Sequence, residues 1–363
     1  MNATSATAER IVVALTVPVI ENLIAAGVIF VFSAVGLALY TMVMLTILLS
    51  KTGAFSNSFY PLILSLGVSD LLMLVAFVFY AVPCIVTQSH IFGGRFDIWM
   101  GVLCNLSYFS SCPCIVIVAL NRYFVICHRK LAEKLFNELT VWWYITFIWA
   151  FGVAACTFQA LPCCHLRFYY DAYTWSYDVD LWGFKYYVWF ERVVVLIMCS
   201  SLLFCYTATG KLTIVHKKGL KIHKQNVKVT TGGAITRASL QKREKQEKRL
   251  LTQFFFIGLV VLAHNITFTF LPEFTLYKWY LFSISVTYMA NLTVNPYVYI
   301  ALNATIRRET LRTICCCEIV DTNSTTVAAT TRHNTIAKFK SRRTGIGSQR
   351  INVAVIERSA RQT

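Results

Sequence analysis

Seven long apolar stretches, each of sufficient length to cross a lipid bilayer, constrain the possible folds of this chain most strongly. A helix needs about 20 apolar residues to span the hydrocarbon core, and in lipid only helices or closed barrels satisfy their own backbone hydrogen bonds. The predicted spans are about 23–49, 59–87, 99–126, 139–161, 185–209, 250–272 and 279–302. The sequence therefore predicts an all-α integral membrane protein, built as a seven-transmembrane helix bundle.

Basic residues are concentrated on one side of this predicted bundle. With the N-terminus outside, 28 of the 34 lysines and arginines fall on the inner side, 5 fall outside and Arg192 lies in the membrane. Because cytoplasmic loops carry an excess of lysine and arginine, we expect an extracellular N-terminus and a cytoplasmic C-terminus. The net charge of +17 would then face anionic lipid headgroups and acidic partners rather than nucleic acid.

The segments outside the spans are predicted to form an extracellular N-terminus, a short helix and a cytoplasmic tail. Residues 1–22 are the extracellular N-terminus, in which Asn2 is the candidate for N-glycosylation. Residues 303–317 are predicted to form a short amphipathic juxtamembrane helix, and residues 318–363, which are polar and poor in large apolar side chains, a disordered cytoplasmic tail. The helix ends in candidates for S-palmitoylation, with free thiols as the alternative: Cys315, Cys316 and Cys317.

Polar residues within the spans are the next informative feature, because an ionisable group at bilayer depth is costly and usually functional. Asp70 lies in the middle of span two, and Asn291 and Asn295 share one face of span seven. Ser111 lies three helical turns before Arg122 in span three. We expect Asp70, Ser111, Asn291 and Asn295 to meet at mid-depth, either as a sodium site built from oxygen ligands or as a hydrogen-bonded polar core without an ion.

The motifs at the inner ends of spans three and seven resemble those of rhodopsin-like (class A) G-protein-coupled receptors. Asn121-Arg122-Tyr123 looks like the Asp-Arg-Tyr motif of that class, and Asn295-Pro296-Tyr297-Val298-Tyr299 matches Asn-Pro-x-x-Tyr. Asp70 corresponds to the aspartate of helix two, and Trp149 to the tryptophan of helix four. The resemblance covers residues 23–317. Within the class, the sequence SNSFYPLILSLGVSD and the divergent motifs are most similar to the nematode serpentine chemoreceptor families.

This resemblance implies a function and a set of partners. The expected role is a receptor at the plasma membrane that senses an extracellular ligand, with a small-molecule chemosensory cue favoured, and activates a heterotrimeric G protein. Arrestin is a further expected partner of a phosphorylated tail. The residues that the resemblance assigns to activation and coupling are Asn121, Arg122, Tyr123, Tyr206, Asn295, Pro296 and Tyr299.

The chain departs from the class pattern at several positions. Asn121 replaces the acidic residue beside Arg122, and Asp97 stands where the class usually has its disulfide cysteine. Cys163 and Cys164 open the second outer loop, which faces an oxidising compartment. Their candidate disulfide partners are Cys104, which we favour, and Cys84.

Polar and aromatic side chains in the outer halves of the spans mark a candidate ligand pocket. Among them, Glu191 could anchor a cationic ligand, and His264 is either a pH-sensitive group or an ordinary bundle histidine. The aromatic, acidic second outer loop is predicted to cap this pocket, to meet a basic peptide or to pack its aromatic residues at the membrane interface. The predicted pocket residues are Asn105, Tyr108, Glu191, His264, Asn265, Thr269 and Tyr288.

Other classes of protein fit the sequence less well. A peptide- or amine-activated rhodopsin-like receptor is the main alternative within the class. No phosphate loop, nucleophile motif or metal-ligand spacing indicates an enzyme, and no cofactor is expected beyond an allosteric sodium ion. A transporter or channel is the alternative from a different class, although the sequence shows neither an internal repeat nor a filter-like loop. Residues 279–302 contain no lysine, which excludes a retinal-binding opsin.

Overall fold

Long apolar helices form the frame of the protein in a computed structural model, which describes residues 2–50, 53, 55, 57–226, 256–268 and 277–315. Five described segments are apolar and long enough to cross a membrane: Val19–Leu49, Phe59–Thr87, Gly94–Cys127, Glu138–Ala160 and Phe184–Lys211. The helices are α1 (Asn2–Leu49), α2 (Phe59–Ala76), α3 (Val82–Thr87), α4 (Gly94–Cys127), α5 (Arg129–Leu135), α6 (Glu138–Ala160), α7 (Phe184–Asn226), α8 (Phe256–Phe268), α9 (Lys278–Leu302) and α10 (Ala304–Cys315).

These helices correspond to the predicted spans, with some differences in their bounds. Helix α1 begins at Asn2, so the predicted N-terminal segment continues the helix of the first span. Helix α7 runs to Asn226, well past the predicted end at residue 209. The sixth span is described over Phe256–Phe268. The inner loop at 227–249 and the predicted tail at 318–363 lie outside the described residues. Below, "outer" and "inner" denote the two ends of the bundle as the charge pattern predicts them.

Helix α4 is the central rod of the bundle, since it packs against α2, α6 and α7. Helix α1 packs against α2 and α9. Buried side chains form one cluster in the outer half, around Phe77 and Phe109, and a second in the inner half, around Leu62 and Leu202. Large apolar side chains also cover the outward faces of α6 and α7, as expected for surfaces in contact with lipid.

A π-helical turn, Phe77–Ala81, joins α2 to α3 within the second span. There the Val82 amide donates to the Phe77 carbonyl, five residues earlier, instead of four. Pro83 follows in the first turn of α3, where its missing amide hydrogen costs little. The turn orients Tyr80 so that its hydroxyl reaches Asp97 of α4.

A two-stranded antiparallel hairpin in the second outer loop was not predicted from the sequence. Strand β1 (Leu166–Tyr169) pairs with β2 (Thr174–Tyr177), in the register Leu166 to Tyr177 and Tyr169 to Thr174. Aromatic residues and threonine favour such strands. Gly101 of α4 lies directly under the Leu166 carbonyl, and a β-carbon at this glycine would overlap that oxygen. The hairpin therefore sits tightly against the outer part of α4.

Helix α10 lies at the inner end of the bundle, where the amphipathic juxtamembrane helix was predicted. Asn303 caps it, because the Asn303 side-chain oxygen accepts from the amides of Thr305 at 3.0 Å and Ile306 at 3.3 Å. The buried Glu309 pairs with Arg312 at 2.9 Å, and the hydroxyls of Thr46 and Thr310 are 3.2 Å apart. Helix α10 is therefore anchored to the inner end of α1.

Candidate functional site: an outer cavity and a polar path to Arg122

A cavity of about 480 Å³ lies in the outer half of the bundle, between α2, α4, α7, α8, α9 and the hairpin. Its walls are mainly aromatic and apolar, with a small number of polar groups, which is the usual composition of a small-molecule site. Five of the seven residues predicted to form a ligand pocket line it: Asn105, Tyr108, Glu191, His264 and Tyr288.

The other two predicted pocket residues have different positions. Asn265 does not line the cavity, but its side-chain oxygen accepts from the Tyr108 hydroxyl at 3.5 Å, and its amide nitrogen donates to the Val261 carbonyl at 2.7 Å. Asn265 can therefore orient Tyr108, which does line the cavity. Thr269 lies outside the described residues.

The hairpin supplies cavity residues that the sequence reasoning did not single out. Leu166, Thr174, Trp175 and Tyr177 all line the cavity, so the second outer loop covers it, as one of the three interpretations of that loop predicted. The alternation of aromatic residues in LRFYYDAYTWSY was the available signal, because a strand presents every second side chain to one face.

Glu191 is the acidic residue of the cavity wall, and its side chain is only 4% exposed. The Tyr177 hydroxyl interacts with the Glu191 carboxylate. Burial, followed by the Glu191 charge, raises the pKa of Tyr177 well above its ordinary value. Tyr177 therefore stays protonated and can act as a hydrogen-bond donor at this point of the wall.

His264 of α8 also lines the cavity and stacks on Tyr288, with ring centroids 4.7 Å apart and planes inclined by 21°. The His264 Nδ1 atom is buried and has no hydrogen-bond partner in the part of the chain that the structure describes. The Trp175 Nε1 atom is in the same situation. Two polar atoms of the cavity residues are thus left for a ligand.

Above the cavity, Asp97 fastens the hairpin to α4. Its carboxylate is fully buried and accepts from the Arg167 Nε at 3.0 Å, from the Phe168 amide at 3.2 Å and from the Tyr80 hydroxyl at 2.8 Å. The His90 Nδ1 atom lies 3.7 Å from the same carboxylate. The hydrogen bond to Asp97 raises the pKa of Arg167 above its ordinary value. We call Asp97, Arg167, Phe168 and Tyr80 the outer clasp.

The favoured disulfide between Cys104 and either Cys163 or Cys164 is not present. All three thiols are free and buried, as is that of Cys84. The Cys163 and Cys164 sulfurs lie 3.0 Å from each other. Burial raises the pKa of Cys164 to about 12, so this thiol is protonated and a poor nucleophile. The prediction was wrong because a charged clasp holds the loop where the class has a covalent bridge.

At mid-depth, the structure brings part of the predicted polar cluster together. The Asp70 carboxylate accepts from the Asn295 amide at 3.2 Å and from the Tyr40 hydroxyl of α1, which the sequence reasoning missed. The Ser111 hydroxyl instead donates to the Tyr108 carbonyl of its own helix at 2.9 Å. The side-chain oxygens of Asn291 and Asn295 are buried and have no hydrogen-bond partner among the described residues.

At the inner end of α4, Arg122 packs over an aromatic ring. Its guanidinium carbon lies 3.1 Å from the centroid of Phe59, the first residue of α2. Neighbouring Tyr60 and Tyr299 are close enough to interact with its charge. The Asn121 amide, which replaces the acidic residue of the class, is buried and makes no hydrogen bond to any described residue. Phe59, rather than residue 121, therefore covers Arg122.

Of the remaining predicted coupling residues, Tyr123 and Tyr206 line a small pocket together with Arg122, and Tyr299 is close enough to interact with its charge. Tyr299 is buried, and Pro296 lies inside α9. The Tyr206 ring packs so closely on Gly258 of α8 that a β-carbon at this glycine would overlap it. The Tyr123 ring contacts Phe124, His128 and Phe204.

Three further predictions concern the ends of the chain and one half-buried tryptophan. Trp149 donates from Nε1 to the Ser65 hydroxyl at 3.1 Å, which ties α6 to α2. Asn2 and Cys315 lie on described helices, and their modification stays a prediction. Cys316 and Cys317 lie outside the described residues.

Seven helices around a polar core, with an outer cavity covered by a hairpin, define a rhodopsin-like receptor fold. The crystal structure of squid rhodopsin is similar to this chain, with a TM-score of 0.70 at 17% identity over 84% of this chain and 89% of that one. The family model for the serpentine type 7TM GPCR chemoreceptor Srx matches residues 30–303. The chain therefore belongs to the Srx family of seven-transmembrane chemoreceptors, as its resemblance to nematode serpentine receptors predicted. The comparison with curated proteins gave no match.

Proposed function

We propose that the protein is a plasma-membrane chemoreceptor that binds a small molecule from outside the cell and activates a heterotrimeric G protein. The observation that carries this proposal is the position of two features on one central helix. Asn105 of α4 lines the outer cavity, and Arg122 lies near the inner end of the same helix. Their separation of 17 positions corresponds to about 26 Å along the helix axis.

A small molecule fits this cavity better than a peptide does. The walls of the cavity are mainly aromatic and apolar and carry only a small number of polar groups, which is the usual composition of a small-molecule site. The hairpin residues Trp175 and Tyr177 also lie over the cavity, so a ligand must pass the loop or open it. A peptide that stays on the outer surface would not use these walls.

Binding can activate the receptor only if the ligand prefers one of two arrangements of the helices. In the proposed active arrangement, the inner end of α8 moves away from α4 and α9 and exposes Arg122 to the G protein. Tyr206 of α7 packs closely on Gly258 of α8, so a movement of α8 relative to α7 would change this contact. Phosphorylation of the tail hydroxyls, which adds negative charge, is the proposed signal for arrestin.

A sodium ion at mid-depth is part of the same proposal. The unpartnered oxygens of Asn291 and Asn295 lie on α9, and Asp70 supplies a carboxylate bonded to Asn295. Carboxylate and amide oxygens suit a hard cation. These residues would hold the ion, whose charge would offset that of Asp70.

The proposal is tested by nucleotide exchange on G proteins co-expressed with the full chain, against a panel of volatile and water-soluble small molecules. We expect Arg122→Ala to reduce ligand-stimulated exchange about 10-fold or more while surface expression persists. Arg95→Ala, which removes an exposed arginine at the outer end, is the matched control. Full exchange in Arg122→Ala, or ligand-evoked current without any G protein, would contradict the proposal. Labelling of epitopes at both ends in intact cells tests the predicted orientation.

A further inference from the structure

We propose that the outer cavity binds a compact organic cation that also carries an oxygen acceptor, such as an amino alcohol with a protonated or quaternary nitrogen. Glu191 would hold the cationic nitrogen, and the Trp175 Nε1–H would donate to the oxygen. The signalling part of this inference depends on the receptor function proposed above, whereas the binding part does not. Three features support this ligand class: the charge of Glu191, the aromatic walls of the cavity and the unpartnered Trp175 Nε1 donor.

The charge of the cavity wall is the first reason to expect a cationic ligand. Glu191 contributes a carboxylate that is 4% exposed, and none of the described residues lining the cavity is a lysine or arginine. A buried carboxylate is costly to keep charged. A bound cation would offset that cost, whereas a carboxylate or phosphate ligand would add to it.

The neighbouring Arg192 does not take this role in the cavity. Consecutive helical residues point about 100° apart, and the Arg192 guanidinium carbon lies 5.5 Å from the ring of the exposed Trp189. Arg192 interacts with Glu191 through its charge, but it is not among the residues that line the cavity. The interior of the cavity therefore remains acidic.

The aromatic walls are the second reason to expect a cationic ligand. Tyr108, Tyr177 and Tyr288 line the same cavity as Glu191, and the charge of Glu191 acts on all three of these side chains. The rings of Tyr108 and Tyr288 meet edge to face, with centroids 6.3 Å apart. Aromatic faces attract cations, and a carboxylate combined with several rings is a known way to bind alkylated ammonium groups.

The unpartnered polar atoms of Trp175 and His264 are the reason to expect an oxygen atom on the ligand. The Trp175 Nε1 atom is a donor only, it is buried, and it has no hydrogen-bond partner within the described residues. Leaving a buried donor without an acceptor is unfavourable, so a ligand oxygen would satisfy it. The His264 Nδ1 atom, also buried and unpartnered, offers a second position for the same hydroxyl or ether group.

The test uses two sets of probes that differ in charge but share a shape. One set is choline, its carbon analogue 3,3-dimethylbutan-1-ol and the anion 3,3-dimethylbutanoate. The other set is 2-phenoxyethylamine, 2-phenoxyethanol and phenoxyacetate, in which the cation carries an ether oxygen. Thermal unfolding of the purified full-length receptor measures binding, because a ligand of the folded state raises the midpoint with its concentration. We expect the cation of at least one set to raise the midpoint, and the neutral and anionic members to have little effect.

Variants then locate the binding. Glu191→Gln should weaken the binding of the effective cation about 10- to 100-fold, whereas Asp171→Asn, which removes an exposed loop carboxylate, should leave it unchanged. Trp175→Phe keeps a ring but removes the N–H group. It should weaken the binding of choline and leave that of tetramethylammonium, which has no oxygen, unchanged. This second variant tests the site if Glu191→Gln does not fold.

The outcomes separate this inference from the proposed function. A midpoint raised by the neutral or anionic probes alone, by no cation in either set, or equally in wild type and Glu191→Gln would overturn the inference. If a neutral or anionic ligand nevertheless drives nucleotide exchange through Arg122, the receptor function stands and the cation inference fails. If cations bind in a Glu191-dependent way but no exchange follows with any G protein, the inference stands and the proposed coupling fails.

Discussion

Asp97 of α4, which is fully buried, forms an ion pair with the partly exposed Arg167 of β1, with the Arg167 Nε 3.0 Å from the Asp97 Oδ2. The sequence places Asp97 where the class usually has a disulfide cysteine, but it does not indicate which residues Asp97 contacts. The same carboxylate accepts from Phe168 and Tyr80, so one side chain joins α4, the hairpin and the second span. The noncovalent clasp thus takes the role that a disulfide has in the wider class.

Removing either charge of the outer clasp should destabilise the receptor. We expect Arg167→Ala to lower the unfolding midpoint by roughly 2–6 °C, because it leaves the Asp97 charge buried with fewer donors. The control is Arg129→Ala, which breaks an exposed pair with Glu133 on α5 and should have a much smaller effect. Thermal unfolding in detergent measures both variants.

The same clasp implies that the receptor does not depend on disulfide bonds for its outer structure. Treatment with a reducing agent should leave the unfolding midpoint and ligand binding unchanged, because the described cysteines of the outer half are free. A large loss of stability on reduction would show that Cys163 or Cys164 is oxidised in the native protein.

The contact between Arg122 and Phe59 should hold the receptor in its resting state. A cation–π contact is worth about 0.5–2 kcal/mol, so Phe59→Leu should raise ligand-independent nucleotide exchange roughly 2- to 10-fold. Phe79→Leu removes an aromatic ring from the outward face of the same span, where Phe79 is 64% exposed, and should leave the basal rate unchanged. Basal exchange at equal surface expression is the measurement. An unchanged or lower rate in Phe59→Leu would reject this role.

Sodium should stabilise the receptor through Asp70. We expect the unfolding midpoint to be about 1–4 °C higher in sodium chloride than in potassium chloride, and Asp70→Asn to remove this difference because it removes the carboxylate. Ser111→Ala should preserve the difference, since the Ser111 hydroxyl is bonded to the Tyr108 carbonyl. Equal midpoints in the two salts for the wild-type protein would mean that the polar cluster is structural only.

The tight approach of the hairpin to α4 should make Gly101 intolerant of a side chain. A β-carbon there would overlap the Leu166 carbonyl oxygen, so Gly101→Ala should cost about 1–3 kcal/mol and reduce surface expression. Gly210→Ala is a suitable comparison, because nothing lies within 4 Å of a β-carbon built on Gly210. Replacing a helical glycine by alanine at an open position is expected to be neutral or slightly stabilising. Equal expression of the two variants would contradict the packing argument.

The helical architecture was predictable because its cause is local to each segment. An apolar run of sufficient length has few alternatives in lipid, and motifs such as Asn295-Pro296 fix the inner ends. The meeting of Asp70 with Asn295 was also predictable, since both are costly to bury alone. Five of the seven predicted pocket residues line one cavity, because polar side chains in the outer spans have few other places to face.

The parts that were missed depend on contacts between segments far apart in the sequence. Tyr40 reaches Asp70 across 30 residues, and Arg167 reaches Asp97 across 70, and no periodicity in either segment indicates its partner. The hairpin was missed because its strands are only four residues long. The contact between Arg122 and Phe59 was missed because the motif in the sequence points to the adjacent Asn121, whereas Phe59 lies on another helix.

The π-helical turn at Phe77–Ala81 affects how this receptor can be aligned with its relatives. Such a turn holds one residue more than an α-helical turn, so the positions beyond it are offset by one from those of a receptor whose second helix is regular. An alignment through this region needs a one-residue gap. Without the gap, Tyr80 and Cys84 would each be matched to a neighbour that faces another direction.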